Sequence, residues 1–286
     1  MTIQQAYLQL LQQLSTLYDN RESGNIADLV IEKITGLRKI DRIVYKDTII
    51  STEQQNLLSK ITSELQQHKP VQYAIGEAWF MGMKLLVNEQ VLIPRPETEE
   101  LANWIIQDIK TNKKMEISVL DIGTGSGCIP IAIKQLLPYT SVTAIDISEG
   151  ALQIAKMNSV SQNVLIDFLL LDILDEVSWQ QLGQFDIIVS NPPYIRTSEG
   201  LSMRKNVMEY EPHLALFVSD NDPLLFYKKI AAFAKTHLNQ TGIIYVEVNE
   251  ELAQEVASVF HQNGFFNIEI RKDMQGKDRM VSAKRN

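Results

Sequence analysis

Cysteine is almost missing from this chain: 286 residues contain one, Cys128. A lone cysteine excludes an internal disulfide framework and fits a reducing compartment such as the cytoplasm. Placed where a helix is expected to open, it reads as a small buried residue rather than a reactive thiol. Histidine is nearly as scarce. The four, His68, His213, His237 and His261, lie too far apart for metal-ligand spacing, so no metal site is expected. No apolar run approaches the roughly 18 residues of a membrane span. The opening Met1-Thr2-Ile3-Gln4-Gln5 has neither the charged nor the apolar region of an export signal. The expectation is a soluble cytoplasmic protein with no membrane partner. Positive charge is also in deficit, with 27 Lys and Arg against 35 Asp and Glu and a formal net charge of −8. Duplex binding relies on cationic side chains at phosphates, and no long basic stretch supplies them. The local cluster Arg271, Lys272, Lys277, Arg279, Lys284 and Arg285 reads as a solvated face. Direct nucleic-acid binding is not expected.

What is present is a globular composition, 45% hydrophobic and 22% charged, in a chain long enough for one large domain and a smaller one. Residues 2–18 place Ile3, Tyr7, Leu10, Leu11, Leu14 and Leu17 at helical spacing. A second helix is expected over about 25–36, with Gly36 near its end, and a third over 52–67, with Thr52 as a candidate cap and Pro70 as a stop. Residues 1–75 therefore form a small N-terminal helical bundle. Between Gly76 and Val91 the pattern shortens to Ala78–Met81 and Lys84–Val87 around Gly82, which predicts a hairpin linker over 76–94. There, packing is favoured over a groove role for Trp79 and Phe80. From 95 to 286 strands alternate with helices, the strands near 117–122, 141–146, 164–171, 185–190, 241–247, 265–271 and 279–283. The fold class is α/β, a doubly wound seven-stranded sheet, mostly parallel.

Two motifs carry chemistry. The first strand of that region runs into Asp121-Ile122-Gly123-Thr124-Gly125-Ser126-Gly127 and then a helical stretch. Glycines there let a ligand approach the backbone. The next strand ends in Asp146, about 20 residues beyond the glycines, an acid suited to ribose hydroxyls. The third glycine comes too early for a dinucleotide fingerprint, and no basic cluster awaits a pyrophosphate. S-adenosyl-L-methionine, which has no phosphate, fits better, along Gly123, Thr124, Gly125, Ser126 and Gly127. The second motif is Asn191-Pro192-Pro193-Tyr194, directly after the apolar strand 185–190. Methylating an amide nitrogen requires acceptors that grip both N–H bonds. The Asn191 side-chain carbonyl and the Pro192 backbone carbonyl supply them at a stiff strand end.

In this order, Asp-x-Gly-Thr-Gly-Ser-Gly, Ala144-Ile145-Asp146-Ile147-Ser148 and Asn-Pro-Pro-Tyr resemble a class I, Rossmann-like S-adenosylmethionine-dependent methyltransferase. Pro94-Arg95-Pro96-Glu97-Thr98-Glu99 and Glu211-Pro212-His213-Leu214-Ala215-Leu216 sharpen that into a resemblance to the bacterial peptide chain release factor N5-glutamine methyltransferases, covering nearly the whole chain. The resemblance implies methylation of the glutamine side chain in a Gly-Gly-Gln segment, with release factors as the protein partner. It implies a substrate-recognition role for the N-terminal bundle, and places Asp172 and Ile173 beside the adenine. Asn191 and Pro192 would hold the glutamine amide with Pro193 beside them, Asn191 would also border the cofactor, and Tyr194 would close over the amide. One departure is Glu247-Val248-Asn249, where the family commonly has Glu-Ile-Gly. Asn tolerates a left-handed turn, so a small local change is expected.

Some readings stay open. Glu97 either caps the following helix or lines the pocket, and Arg95 either pairs with an acid or serves the site. The rivals are a glutamine methyltransferase of a ribosomal protein, disfavoured by Pro96-Glu97-Thr98-Glu99, and an amino-methyltransferase of DNA or RNA bases, which would need a cationic target-recognition surface. A non-catalytic S-adenosylmethionine-binding module has no need of Asn-Pro-Pro-Tyr.

Overall fold

The computed structural model describes residues 1–111 and 116–285. The chain divides into two compact units, Met1–Glu77 with Arg204–Tyr210, and Ala78–Met203 with Glu211–Asn286. The inclusion of residues 204–210 in the first unit was not legible in the sequence, because it depends on a return of the chain from far downstream.

The first unit is helical, with helices Ile3–Leu14, Asn20–Thr35, Lys39–Val44, Thr52–Gln66 and Val71–Ile75, joined by the turn of helix Lys205–Tyr210. Helical spacing gathers Ile3, Leu10, Leu14, Val30, Ile31, Ile61 and Leu65 into one core. Leu17 lies past the end of its helix, and Leu57 yields the core position to Leu58, so both stay more than a third exposed. Helix starts follow side-chain chemistry rather than the apolar stripe. Asp19 accepts from the backbone of Arg21 and Glu22 and starts its helix at Asn20, earlier than the stripe suggests. The expected cap at Thr52 is corrected to Ser51, which exchanges bonds with Gln54 in a capping box while Thr52 is already helical. Gly36 ends the second helix at φ 71°, as expected.

A hairpin of β1 (Glu77–Phe80) and β2 (Met83–Leu86) follows, and from Ala78 onwards it belongs to the second unit. Met81 and Gly82 take φ of 46° and 78°, the pair of positive values that a two-residue turn between twisted strands demands. Phe80 is fully buried; Trp79 is 52% exposed, with the Lys84 ammonium 5.3 Å from its ring centre. Packing therefore accounts for Phe80 alone.

The large sheet contains β3 (Ser118–Ile122), β4 (Ser141–Asp146), β5 (Asp167–Leu170), β6 (Phe185–Ser190), β9 (Leu238–Glu247), β10 (Phe266–Lys272) and β11 (Asp278–Lys284). A separate parallel pair is formed by β7 (Ile195–Arg196) and β8 (Phe217–Val218). The order is β10-β11-β9-β6-β3-β4-β5, and β11 alone runs against its neighbours. This is the seven-stranded, mostly parallel, doubly wound sheet predicted. β5 starts at Asp167 instead of 164 because Asn163, at φ 55°, and the Val164 N–H, donating to the Ser159 carbonyl, are spent closing the preceding helix. The β10–β11 pairing is irregular between Phe266 and Glu269, where Asn267 takes φ 47°, and again between Arg271 and Lys272.

Side chains alternate between the sheet's two faces. Leu120, Ile188, Ile244 and Val246 pack with Tyr227, Ile230, Phe233 and Phe260 from helices Leu225–His237 and Ala253–Gln262. Val119, Ile187, Val189 and Tyr245 pack with residues of helices Pro96–Thr111 and Cys128–Leu136. Burial on both faces is what makes these strands read as continuous apolar runs. In register, Ile122 lies beside Ile145 on one side and Ser190 on the other, so β3, β4 and β6 end level. The strand order reverses between β3 and β6, the place in an open α/β sheet where a crevice forms.

Candidate active site

The glycine loop is built by backbone bonds at the end of β3. The N–H groups of Gly123 and Thr124 both donate to the Ile145 carbonyl, at 2.9 and 3.0 Å. Gly125, at φ 55°, turns its N–H onto Asp146 Oδ2 at 2.8 Å. The other Asp146 oxygen accepts from the Ser148 N–H at 2.9 Å, and Ser148 caps helix Glu149–Ser161 through the Ala151 N–H. Asp146 is thus both an acid at a helix start and a carboxylate at the crevice. Burial pushes its carboxyl above the usual range, against the N–H groups of Ser148, Gly125 and Ile147.

A cavity of about 240 Å³ opens over this loop. Of the residues singled out in the sequence, Gly123, Thr124, Gly125, Ser126, Asp146, Asp172, Ile173, Asn191, Pro192 and Pro193 line it. Gly127 and Tyr194 do not. A Cβ on Gly127 would come within 3.1 Å of Ala155 Cβ and Ile131 Cδ1, so this glycine permits close packing of the loop's helix. The Tyr194 hydroxyl donates to Glu247 Oε1 at 3.1 Å, and its half-buried ring packs against the core under the sheet. Asn191 donates from Nδ2 to Thr98 Oγ1 at 3.1 Å, and Thr98 donates to Glu247 Oε2 at 2.7 Å.

The lining suits a cationic nucleoside better than a phosphate ester. It includes the acids Glu89, Asp146 and Asp172, and Arg95, the one cation of the lining among the described residues, is already paired with Glu211 at 2.5 Å. Next to the loop, Asp121 is 1% exposed, and among the described residues neither of its oxygens, nor the Thr124 hydroxyl, has a hydrogen-bond partner. Burial pushes the Asp121 carboxyl up to about 7; the nearby Thr124 hydroxyl offsets part of this, and the Asp146 charge adds to it. Groups buried without partners are costly unless something else satisfies or neutralises them. S-adenosylmethionine, with a ribose for an acid and a positively charged sulfur, fits this donor set.

Around the crevice the open readings resolve. Arg95 both lines the cavity and pairs with Glu211. Glu97 lies in the first turn of helix Pro96–Thr111 and does not line the cavity. Cys128 opens its helix, buried, its thiol pushed up to about 12 chiefly by that burial. Asn249 does not use the left-handed conformation open to it; it forms a local turn in which its Oδ1 accepts from the Glu251 N–H at 3.0 Å. Sequence reasoning missed Asn158. Fully buried, it accepts from the Leu86 N–H at 2.6 Å and donates to the carbonyls of Leu86 and Ser126 at 3.0 and 2.9 Å, tying the hairpin to the glycine loop. A polar residue inside a helical pattern was its only signal.

Comparison with known proteins agrees with this geometry. Residues 5–76 match the model of the PrmC N-terminal domain, and residues 100–210 that of the methyltransferase small domain. The chain is 42% identical to the release factor glutamine methyltransferase of Flavobacterium psychrophilum, over 99% of both chains. The chain belongs to the release factor glutamine methyltransferase family. The family's member in Bacteroides thetaiotaomicron is 38% identical over 96% of this chain and 97% of its own. Among solved structures, the T. thermophilus 16S rRNA N2 G1207 methyltransferase, in complex with AdoMet and guanosine, superposes with a TM-score of 0.53 at 15% identity. The match covers 73% of this chain and 50% of that one, and shows a shared fold. As a member of the glutamine methyltransferase family, the chain is an enzyme that transfers methyl groups. No helix among the described residues is long and apolar enough to cross a membrane.

Proposed function

We propose that this enzyme uses S-adenosyl-L-methionine to methylate the side-chain nitrogen of the glutamine in the Gly-Gly-Gln segment of peptide chain release factors, in the cytoplasm. When bound, the cofactor supplies an electrophilic methyl carbon on a sulfonium. The loop Gly123–Gly127 cradles it, with Gly127 acting through helix packing, while Asp146 accepts from its ribose and Asp172 and Ile173 border its adenine. Residues 1–75 serve substrate recognition, 76–94 link, and 95–286 carry the transferase.

The observation that carries the reading is the state of Asn191. Its Nδ2 donates to Thr98 and the residue lines the cavity, and we assign the carbonyl Oδ1 as the acceptor it offers there. Asn191 Oδ1 and the Pro192 carbonyl accept the two N–H bonds of the glutamine amide, with Pro193 beside them, which directs the nitrogen lone pair at the methyl carbon. The nitrogen sheds its surplus proton to solvent after transfer, so no strong base is required. Held near-attack geometry contributes about 7–11 kcal/mol, and most of the acceleration is assigned to it. Tyr194 contributes from behind the crevice by holding Glu247, not by covering the amide.

The test is transfer of labelled methyl from S-adenosylmethionine to purified release factor, to the same factor with its Gly-Gly-Gln glutamine replaced, to ribosomal protein and to DNA. Label on the intact factor alone supports the reading; label on ribosomal protein or DNA instead removes the substrate assignment. Asn191→Ala is expected to abolish transfer while leaving cofactor binding by calorimetry largely intact, and unchanged turnover would remove the clamp.

A further inference from the structure

Glu247 ends β9 with its carboxyl 1% exposed, an expensive place for an acid unless the fold uses it. Both oxygens are occupied by hydroxyl donors, Thr98 at 2.7 Å on Oε2 and Tyr194 at 3.1 Å on Oε1. The Tyr227 hydroxyl holds the main-chain carbonyl of the same residue at 3.0 Å, and Arg279 donates to the Val248 carbonyl at 3.2 Å. Burial raises the carboxyl's pKa; the Thr98 and Tyr194 hydroxyls and the Arg279 charge pull it back, and Glu97 pushes it up.

The consequence travels through one proton. A hydroxyl has a single hydrogen, and Glu247 Oε2 accepts the one that Thr98 carries. Thr98 must therefore spend its hydrogen on Glu247, and can meet Asn191 only as an acceptor. An amide presents N–H groups at one end and a carbonyl at the other. Because Nδ2 is required at Thr98, Oδ1 is left for the cavity. Thr98 is itself 3% exposed at the cavity wall, which puts it between the buried Glu247 and Asn191.

We propose that Glu247, acting through Thr98, is a positioning residue that sets which end of the Asn191 amide meets the substrate. It touches neither substrate nor cofactor. The inference rests on the role proposed above for Asn191 as the acceptor for the glutamine amide.

Glu247→Gln tests it with almost no change in shape. A glutamine placed with Nε2 at Tyr194 leaves the tyrosine hydrogen buried without an acceptor. Placed with Nε2 at Thr98, it keeps Tyr194 satisfied, and Thr98 then donates its hydrogen towards Asn191. Asn191 turns over to receive it and presents N–H groups where an acceptor is needed. The expected result is a fall in kcat of about 100-fold, with cofactor affinity and the urea midpoint close to those of the parent. Thr98→Val is expected to lower kcat similarly, and Thr98→Ser, which keeps the hydroxyl, to restore it. Neutron diffraction from parent and Glu247→Gln crystals reads the amide directly, nitrogen towards Thr98 in the first and oxygen in the second. An unflipped amide in the variant, or a Thr98→Val enzyme with parental kcat, overturns the relay. If the parent transfers no methyl to release factor, the substrate reading falls, while the neutron maps still decide the relay.

Discussion

Asp121→Asn removes a negative charge from a place where, among the described residues, it has no hydrogen-bond partner. The carboxyl sits near 7 in the fold against an ordinary value of 3.8. A folded value raised above the unfolded one means the native state holds a proton that the unfolded chain has released. Stability is then fully present below the unfolded value and is lost as pH rises through the folded one. At about 1.36 kcal/mol per pH unit, the span of roughly three units caps the loss near 4 kcal/mol. Between pH 5 and pH 8, Asp121 alone costs the parent about 3 kcal/mol. The variant leaves an amide N–H₂ without a partner at a cost of about 1–3 kcal/mol, but that cost is the same at both pH values and cancels in the comparison. The assay is urea unfolding of both proteins at pH 5 and pH 8 without cofactor. The variant is expected to gain about 3 kcal/mol on the parent between the two conditions. Equal pH dependence in both proteins would refute the argument, by showing that Asp121 is ionised throughout or that its charge is compensated.

Two further substitutions probe the frame of the site. Asn158→Leu strands the Leu86 N–H and the carbonyls of Leu86 and Ser126, and is expected to cost about 2–5 kcal/mol in urea unfolding and to weaken cofactor binding by calorimetry; a cost within 0.5 kcal/mol, the range of an ordinary surface change, would mean these bonds are replaced. Arg95→Ala leaves the Glu211 carboxyl, 3% exposed, without its guanidinium. The arginine side chain is 34% exposed, so the loss is expected at about 1–3 kcal/mol, below that of a fully buried pair. Arg95→Ala combined with Glu211→Gln should recover part of it, and failure to recover would show that the arginine stabilises by packing.

The central parallel strands β3, β4 and β6 were legible because they are largely buried on both faces, and so appear as apolar runs that end on residues able to do chemistry. The Gly123–Gly127 loop and Asn191–Pro193 were legible for a related reason: few residue types satisfy a tight turn or a stiff strand end. The Thr98–Glu247 pair was not, since its members are 149 positions apart and a buried acid at a strand end looks like any acid after an apolar run. The Tyr194 hydroxyl bond was not legible either, because the motif fixes the backbone of Tyr194 while the distant Glu247 decides where its hydroxyl goes. Asn163 shortened β5 through a left-handed turn that no periodicity announces, and the short helices Lys39–Val44 and Val71–Ile75 are too brief to display a period at all.

The irregular seam between β10 and β11 has a bearing on how the molecule behaves in a crowded solution. β10 is an outer strand of the sheet, and such a strand offers unpaired backbone groups to any chain that can lie flat along it. Here the breaks in register near Asn267 and at Arg271–Lys272 bend that margin, and Glu269, Arg271 and Lys272 add charge of both signs along it. At the opposite margin, β5 is only four residues long and begins with Asp167. Neither margin is a long, flat, apolar template, so the sheet resists growing by end-on addition of a second molecule, and the apolar interior that carries the crevice is not an invitation to fibrils.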